Sequence, residues 1–218
     1  MWVVRVVSLE RTTPADDVAE ALRDEVLGGL VPPGTPVREA DVQARFGVSR
    51  ELVRGALGQL EREGLLVHSL HRGVEVTRLG VDDVRDLFAA RRTLELSGLE
   101  AFVRRRPADD VWLQAAVQSM TEAAAAGDGR AAVAADAAFH LAIVASTSSR
   151  RIRLAAEAAF RELRIVLAFA DRVSGDLDEL AADHAGLMEV IVQAPPPSTR
   201  AALLDHLRRA EQRVLAVV

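Results

Sequence analysis

Three histidines and one aspartate in the second half of the chain are of the types that bind metal ions. Asp136 and His140 lie four residues apart in a helical pattern, so both side chains project from one side of the same predicted helix. His184 and His206 belong to two later predicted helices. Imidazole is the commonest protein ligand for metals, and three imidazoles with one carboxylate suit zinc or nickel. A single histidine in such a helix is more often a satisfied core or surface residue, and the sequence alone does not bring the four together.

A second group of chemically informative residues lies in the stretch 37–64, which divides into two short amphipathic helices. Gly47 ends the first and suits the sharp turn of a helix-turn-helix, while Ser49 is a good N-cap for the second. Arg50 and Arg54 lie one turn apart, on a side of the second helix that can stay outside the core. Such a pair suits insertion into the major groove of DNA. The alternative is an ordinary helical hairpin with solvated arginines.

Apolar spacing indicates which sides of these two helices face the core. The expected inward residues are Ala40, Val42, Ala44 and Phe46 in the first helix, and Leu52, Val53, Ala56, Leu57 and Leu60 in the second. After them, residues 65–68 and 74–77 are predicted strands. A hairpin directly after a recognition helix is a wing, and its tip at His71, Arg72 and Gly73 could contact DNA backbone or minor groove.

The sequence predicts a mainly α fold in which a winged helix-turn-helix precedes a helical bundle. This fold must position both the metal-ligand candidates and the DNA-contacting candidates. We predict a DNA-binding domain at 1–78 with an N-terminal arm at 1–12, a linker at 79–81, and a helical domain at 82–218. The first helix is predicted at 14–30. The bundle is predicted as six antiparallel helices at 82–104, 107–127, 128–145, 150–173, 176–194 and 199–218, with the prolines 195–197 separating the last two.

Composition excludes several other classes of protein. The 218 residues include 50% apolar side chains, enough for a core, and no cysteine, which excludes disulfides and thiolate chemistry. The apolar runs are shorter than the ~20 residues of a membrane helix. Residues 1–7 are apolar but too short and interrupted for a signal peptide. We therefore expect a soluble cytoplasmic protein without membrane contact.

The charge balance predicts weak non-specific binding to DNA. Residues 1–78 contain ten arginines and twelve acidic residues, a net charge of −2, although DNA-binding modules are usually basic. Many of the acidic residues belong to the predicted first helix. The arginines at 38, 45, 50, 54 and 72 lie in or beside the predicted DNA-contacting elements. We expect a local positive face on an acidic body.

Residues 15–78 resemble the GntR family of transcription regulators. The resemblance is carried by residues 30–35, 38–39, 46–50, 53–54, 57, 60–61, 63–65 and 71–73. It implies a homodimer that binds palindromic double-stranded DNA. The implied DNA-binding residues are Arg38, Ser49, Arg50, Glu51, Leu52, Arg54, His71, Arg72 and Gly73. Glu51 and Leu52 stand where the family often has Thr-Pro, and Gly55 where glutamate is usual, so the preferred operator sequence does not transfer.

From residue 82 onward the chain resembles the FCD ligand-binding domain of the FadR branch of that family. The matching segments are 91–95, Asp136 with 139–140, 183–184 and 206–207. The resemblance implies that Asp136, His140, His184 and His206 bind a divalent metal and leave positions for water or an effector carboxylate. Arg91 is the implied partner of that carboxylate. An intrahelical salt bridge from Arg91 to Glu95 is the equally weighted alternative.

The sequence therefore predicts a transcription regulator, not an enzyme, controlled by a small organic acid at a metal site. Two alternatives remain. A metal-dependent hydrolase using a histidine-bound water is chemically similar, but there is no HExxH motif. A regulator of the same fold could instead bind its effector through the histidines without metal.

Overall fold

The computed structural model describes residues 13–69, 73–105, 111–174 and 176–218. Within them, the N-terminal part contains α1 (Pro14–Leu27), α2 (Glu39–Phe46), α3 (Arg50–Arg62), β1 (Leu66–Ser69) and β2 (Gly73–Val76). The remaining helices are α4 (Val81–Arg105), α5 (Val111–Ala126), α6 (Gly129–Ala145), α7 (Arg150–Ser174), α8 (Leu177–Gln193) and α9 (Pro196–Leu215). We call the part before α4 the head and α4–α9 the bundle. The predicted arm at 1–12, the wing residues His71 and Arg72, and the predicted helix start at Pro107 lie outside the described residues.

Local signals in the sequence determine where the helices of the head begin and end. Thr13 and Asp16 cap α1 reciprocally, with 2.7 Å from the Thr13 N–H to the Asp16 carboxylate. The Ser49 hydroxyl accepts from the Leu52 N–H at 3.4 Å and so caps α3. Gly47 ends α2 with a φ of 66°, which favours glycine. The predicted turn between α2 and α3 is therefore confirmed.

The head is a winged helix-turn-helix. β1 and β2 form an antiparallel hairpin directly after α3, in which Leu66 lies opposite Val76. Residues 34–37 run along the other side of β2, with the Val37 N–H donating to the Val74 carbonyl at 2.8 Å. The core beneath contains Val18, Ala19, Val26, Val42, Val53, Ala56, Leu57, Leu60, Leu65, Leu66 and Val76.

Two expectations about the head were wrong in detail. Ala40 and Ala44 are exposed, and only Val42 of α2 is fully buried. A helix of eight residues contacts the core over a narrow stripe, so small side chains at its margin remain in solvent. α1 ends at Leu27 instead of residue 30, because Gly29 turns the chain at a φ of 67°.

The six helices of the bundle follow the predicted order, with one change at the start of α9. The prolines at 195–197 were expected to separate two helices, but Pro196 and Pro197 form the first turn of α9. Proline is tolerated there because the first N–H groups of a helix have no intrahelical acceptor. Elsewhere, a Cβ at Gly98 would lie 2.4 Å from the Ile143 carbonyl oxygen, so glycine lets α4 approach the backbone of α6.

Helix α7 connects the head to the bundle. Its Ile165 is buried in the core of the head, while Leu163, Val166 and Leu167 belong to the core between α4, α7 and α9. A Cβ at Gly29 would lie 2.4 Å from the Ala168 carbonyl oxygen, so the end of α1 packs directly on the backbone of α7. The two parts of the chain therefore share buried residues. Among the described helices, none is long and apolar enough to cross a membrane.

Candidate metal centre and DNA-contacting surface

The bundle brings the three predicted histidines to one point. His140 lies on α6, His184 on α8 and His206 on α9, and each is no more than 1% exposed. The Nε2 atom of His140 lies 3.3 Å from that of His184 and 3.2 Å from that of His206. The possible ligand atoms of all three lie within 4.8 Å of one another. Helices distant in sequence thus form one closed cluster of imidazoles.

The opposite nitrogen of each ring is held by an acceptor. His184 Nδ1 donates to the Leu180 carbonyl oxygen at 2.8 Å. His140 Nδ1 donates to Glu95 at 2.6 Å, and His206 Nδ1 donates to Asp183 at 2.8 Å. Since carbonyl and carboxylate oxygens only accept, the protons of the neutral rings reside on Nδ1. Each Nε2 therefore presents its lone pair to the centre, the arrangement typical of histidines that bind metal.

Asp136 completes this cluster from the same helix as His140. Its Oδ1 lies 3.0 Å from His184 Nε2 and 3.8 Å from His140 Nε2. Its Oδ2 is buried and has no hydrogen-bond partner. Ligand atoms about 2.0–2.1 Å from a tetrahedral zinc lie roughly 3.3 Å from one another. The donor atoms present, their spacing and the unpartnered oxygen fit one ion of this size.

Electrostatics favour neutral rings at His140 and His206, but a protonated ring at His184 beside the ionised Asp136. Burial works to raise the pKa of Glu95, but the charges of His140 and Arg91 outweigh it and bring the pKa to about 2. Burial lowers the pKa of His206 to about 4. Burial opposes protonation of His184 as well, yet its hydrogen bond and attraction to Asp136 raise its pKa overall. The cluster therefore already favours positive charge next to Asp136.

Arg91 forms the intrahelical salt bridge considered from the sequence and retains an unpartnered guanidinium nitrogen. It is 2% exposed, and its Nε donates to Glu95 at 2.8 Å, which is the intrahelical salt bridge. Its guanidinium lies over the rings of Phe88 and Phe160, at 5.1 and 4.3 Å from their centroids. The Nη2 atom is buried without a hydrogen-bond partner. The salt bridge thus leaves one donor available.

On the head, the two arginines of α3 are exposed but not free. The side chains of Arg50 and Arg54 are 67% and 64% exposed, and their Nε atoms donate to opposite oxygens of Glu39 at 2.7 and 3.0 Å. These charge-assisted bonds hold the pKa of the Glu39 carboxyl below its usual value. Glu39 therefore aligns both guanidiniums on one face before any DNA is present.

Most of the other predicted DNA-contacting residues that the structure describes are also exposed. Arg38, Ser49, Glu51 and Gly73 are exposed, and Leu52 is half-buried. Arg45, at the end of α2, forms an ion pair with Glu25 of α1. Arg45, Arg50 and Arg54 each have an acidic partner, so the exposed surface of α2 and α3 carries charges of both signs.

Comparison with known proteins decides the family. Residues 14–76 match the family described as bacterial regulatory proteins, gntR family, and residues 86–209 match the FCD domain. The probable D-xylose utilization operon transcriptional repressor of Paenarthrobacter nicotinovorans is 32% identical over 203 residues, covering 91% of this chain and 88% of that protein. The chain belongs to the GntR family of transcription regulators.

Two further transcription regulators match nearly all of the chain. The HTH-type transcriptional regulator Rv0494 of Mycobacterium tuberculosis, itself uncharacterized, is 27% identical over 229 residues, covering 94% of this chain and 91% of that protein. A solved structure from Rhodococcus sp. RHA1, described as a GntR transcriptional regulator, has a TM-score of 0.72 and 26% identity, covering 94% of this chain and 98% of that one. The GntR assignment and the expectation of a regulator instead of an enzyme are confirmed.

In this GntR chain, the residues that orient the site were largely missed by sequence reasoning. Glu95 was considered only as a partner of Arg91, and Asp183 only as the neighbour of His184. Both are hydrogen-bond acceptors for histidine rings. Glu39 was considered only as part of the family resemblance, although it binds both arginines of α3. A carboxylate at a core-facing helical position, such as Glu95, is the one signal that could have been found.

Proposed function

We propose that this GntR-family regulator binds one divalent metal ion, zinc or nickel, through Asp136, His140, His184 and His206. The observation that carries the proposal is the convergence of three Nε2 lone pairs on one buried point beside a carboxylate. A divalent cation held there supplies concentrated positive charge that attracts an anionic ligand. Glu95, Asp183 and the Leu180 carbonyl keep the rings oriented from behind.

We propose further that the effector is a small organic acid whose carboxylate is bound at this centre. Arg91 supports this, because its buried Nη2 has an unused donor while its Nε is fixed by Glu95. A guanidinium is well suited to a carboxylate, and an unpartnered buried donor is costly until it finds an acceptor. The same regulator binding its effector without metal is the alternative.

For DNA, we propose a cytoplasmic homodimer that presents two heads to a palindromic operator. Arg50 and Arg54 are the proposed base-contacting residues, since they lie exposed on one face of a capped helix. The other proposed contacts are Arg38, Ser49, Glu51, Leu52, His71, Arg72 and Gly73. Light scattering is expected to give twice the chain mass of 23.5 kDa. The name of the Paenarthrobacter relative favours repression.

Effector control is proposed to act through the position of the heads. A ligand shifts the equilibrium between two positions of the heads only if its affinity for the protein differs between them. Helix α7 is the proposed connection, since Phe160 stacks on His140 at a ring distance of 5.7 Å while Ile165 is buried in the head.

The experiment that tests this function begins with selection of the preferred duplex from random DNA. Binding to that duplex is then titrated with small mono- and dicarboxylic acids, with and without chelator. A regulator of the proposed kind releases or gains DNA with one class of acid, and the chelator abolishes the response. A response that survives chelation favours the metal-free alternative, and no selected sequence at all contradicts the function.

A further inference from the structure

A cavity of about 660 Å³ lies at the contact between the head and the bundle, and no histidine is part of its lining. We call it the seam cavity. Its volume falls within the range usual for small-molecule sites. Arg23 of α1, Ala134 and Leu141 of α6, and Phe160 of α7 line it. The floor formed by α6 and Phe160 is apolar, whereas the rim is rich in arginine.

Four arginines line the cavity, against two acidic residues. Glu63 accepts two hydrogen bonds from Arg23, at 2.8 and 2.6 Å, and is thereby engaged. Glu157, the other acidic residue of the lining, is paired with Arg153 at 3.0 Å. Arg130 also lines the cavity, and it forms ion pairs with Glu20 and Asp24 of α1.

Two arginines of α7 remain without a carboxylate of their own. Arg164 donates to the backbone carbonyl of Glu63, and its Nε is buried with no hydrogen-bond partner. Arg161 is exposed, and within the described part of the chain no acidic side chain pairs with it. Arg161 and Arg164 are three residues apart in α7 and are therefore neighbours on the helix surface. Their positive charges repel each other. A region with this surplus of positive charge attracts anions.

From these observations we propose that the seam cavity is a second ligand site, selective for an organic anion with an apolar body. The anionic group is bound by Arg161 and Arg164, and the apolar body packs against α6 and Phe160. Such a ligand touches α1 of the head and α6 and α7 of the bundle at once. Phe160 also forms the wall behind His140, so the seam cavity and the histidine cluster share one side chain. The ligand therefore stabilises one arrangement of the head on the bundle.

The probe for the test is the fluorescent aromatic sulfonate 8-anilinonaphthalene-1-sulfonate, titrated into the intact folded protein. We expect one saturable site per chain, displaced by benzoate but not by benzyl alcohol. Arg161→Gln removes a charged donor that has no structural partner, and should weaken binding about tenfold or more. Ala134→Phe fills the cavity from an exposed helix position and should weaken it at least as much. Arg151→Gln, at an exposed position of the same helix and outside the cavity, is the matched control and should leave binding unchanged.

The outcomes separate this site from the metal centre. Circular dichroism first establishes that each variant retains the cooperative melt of the wild type. Binding that is unchanged by chelator supports a seam site independent of the histidines, whereas loss on chelation overturns it. Sensitivity to Arg161→Gln alone would indicate an outer-surface site, and sensitivity to Ala134→Phe alone would indicate an apolar site without anion selectivity. Either result, or the absence of saturable binding, overturns the proposal.

Discussion

The Nε2 atoms of His140 and His206 lie 3.2 Å apart, and the Nδ1 of each ring donates to a carboxylate behind it. With both protons on Nδ1, two lone pairs face each other at hydrogen-bond distance. In its neutral form, His184 adds a third lone pair, 3.3 Å from His140 Nε2. One proton can turn a single contact between two lone pairs into a hydrogen bond. One divalent cation can instead accept all of the lone pairs at once. This is the physical basis of the proposed metal centre.

Glu95 should determine how tightly that centre binds metal. Glu95→Gln can offer an N–H to His140 Nδ1 and so favour the wrong tautomer, and it removes the charge that pairs with Arg91. Loss of such a supporting contact typically weakens metal affinity 10–100-fold, and we expect a change on the order of this range. Competition with a chromogenic chelator measures it. Glu100→Gln, at an exposed position of the same helix, is the control. Equal affinities for the Glu95 variant and wild type would argue against this role.

Asp171 should make the metal-free protein less stable as pH rises. Burial, reinforced by the charge of Asp136, raises the pKa of Asp171 to about 7. The unfolded value is about 3.9. Between these values the folded state holds a proton that the unfolded state has lost. The contribution of Asp171 to the free energy of unfolding is therefore greatest below about pH 4, and it is lost as the pH rises to 7.

Asp171→Asn tests this by removing the ionisable group. In chelator-treated protein, we expect the variant to melt above wild type, with a gain at pH 8 that exceeds the gain at pH 5 by on the order of 5 °C. Calorimetry at the two pH values measures the difference. Asp178→Asn, at an exposed position of α8, serves as the control and should show no such dependence. Equal gains for Asp171→Asn at both pH values would be inconsistent with a buried, protonated carboxyl.

Arg50 and Arg54 should provide the specific part of DNA binding. Each changed to alanine is expected to weaken binding to the selected duplex by ~1–3 kcal/mol and to relax the preference at one base pair. A phosphate contact would instead weaken all duplexes alike. Fluorescence anisotropy on the selected duplex and on single-base variants distinguishes the two. Arg153→Ala, in the bundle, is the control. A double variant that binds as tightly as wild type would refute the role of α3.

Much of this fold could be predicted from sequence, because its signals are local. Gly47 and Ser49 fix the turn and the start of α3 by backbone conformation and capping, and both act as expected. Apolar spacing predicts the six helices of the bundle. Prolines were harder to interpret, since Pro196 can either precede a helix or occupy its first turn. Local chemistry permits both, and packing against α4 and α8 decides.

The site could be predicted only as a set of candidates. Residue type made His140, His184 and His206 plausible ligands, but their convergence depends on how α6, α8 and α9 pack. The supporting acceptors Glu95 and Asp183 are separated from the histidines they orient by 45 and 23 residues. No spacing rule joins residues that far apart. The seam cavity likewise exists only because α1 docks on α7.

The most direct test of the central claim is the metal content of protein purified without chelator. Elemental analysis compares wild type with His184→Ala and His206→Ala, and with His68→Ala as a control, because His68 is an exposed histidine of β1. We predict about one zinc or nickel ion per chain in wild type and the control, loss of the ion in the other two, and a higher melting temperature for metal-loaded wild type. A metal-free wild type that gains no thermal stability from zinc, nickel or manganese would contradict the account.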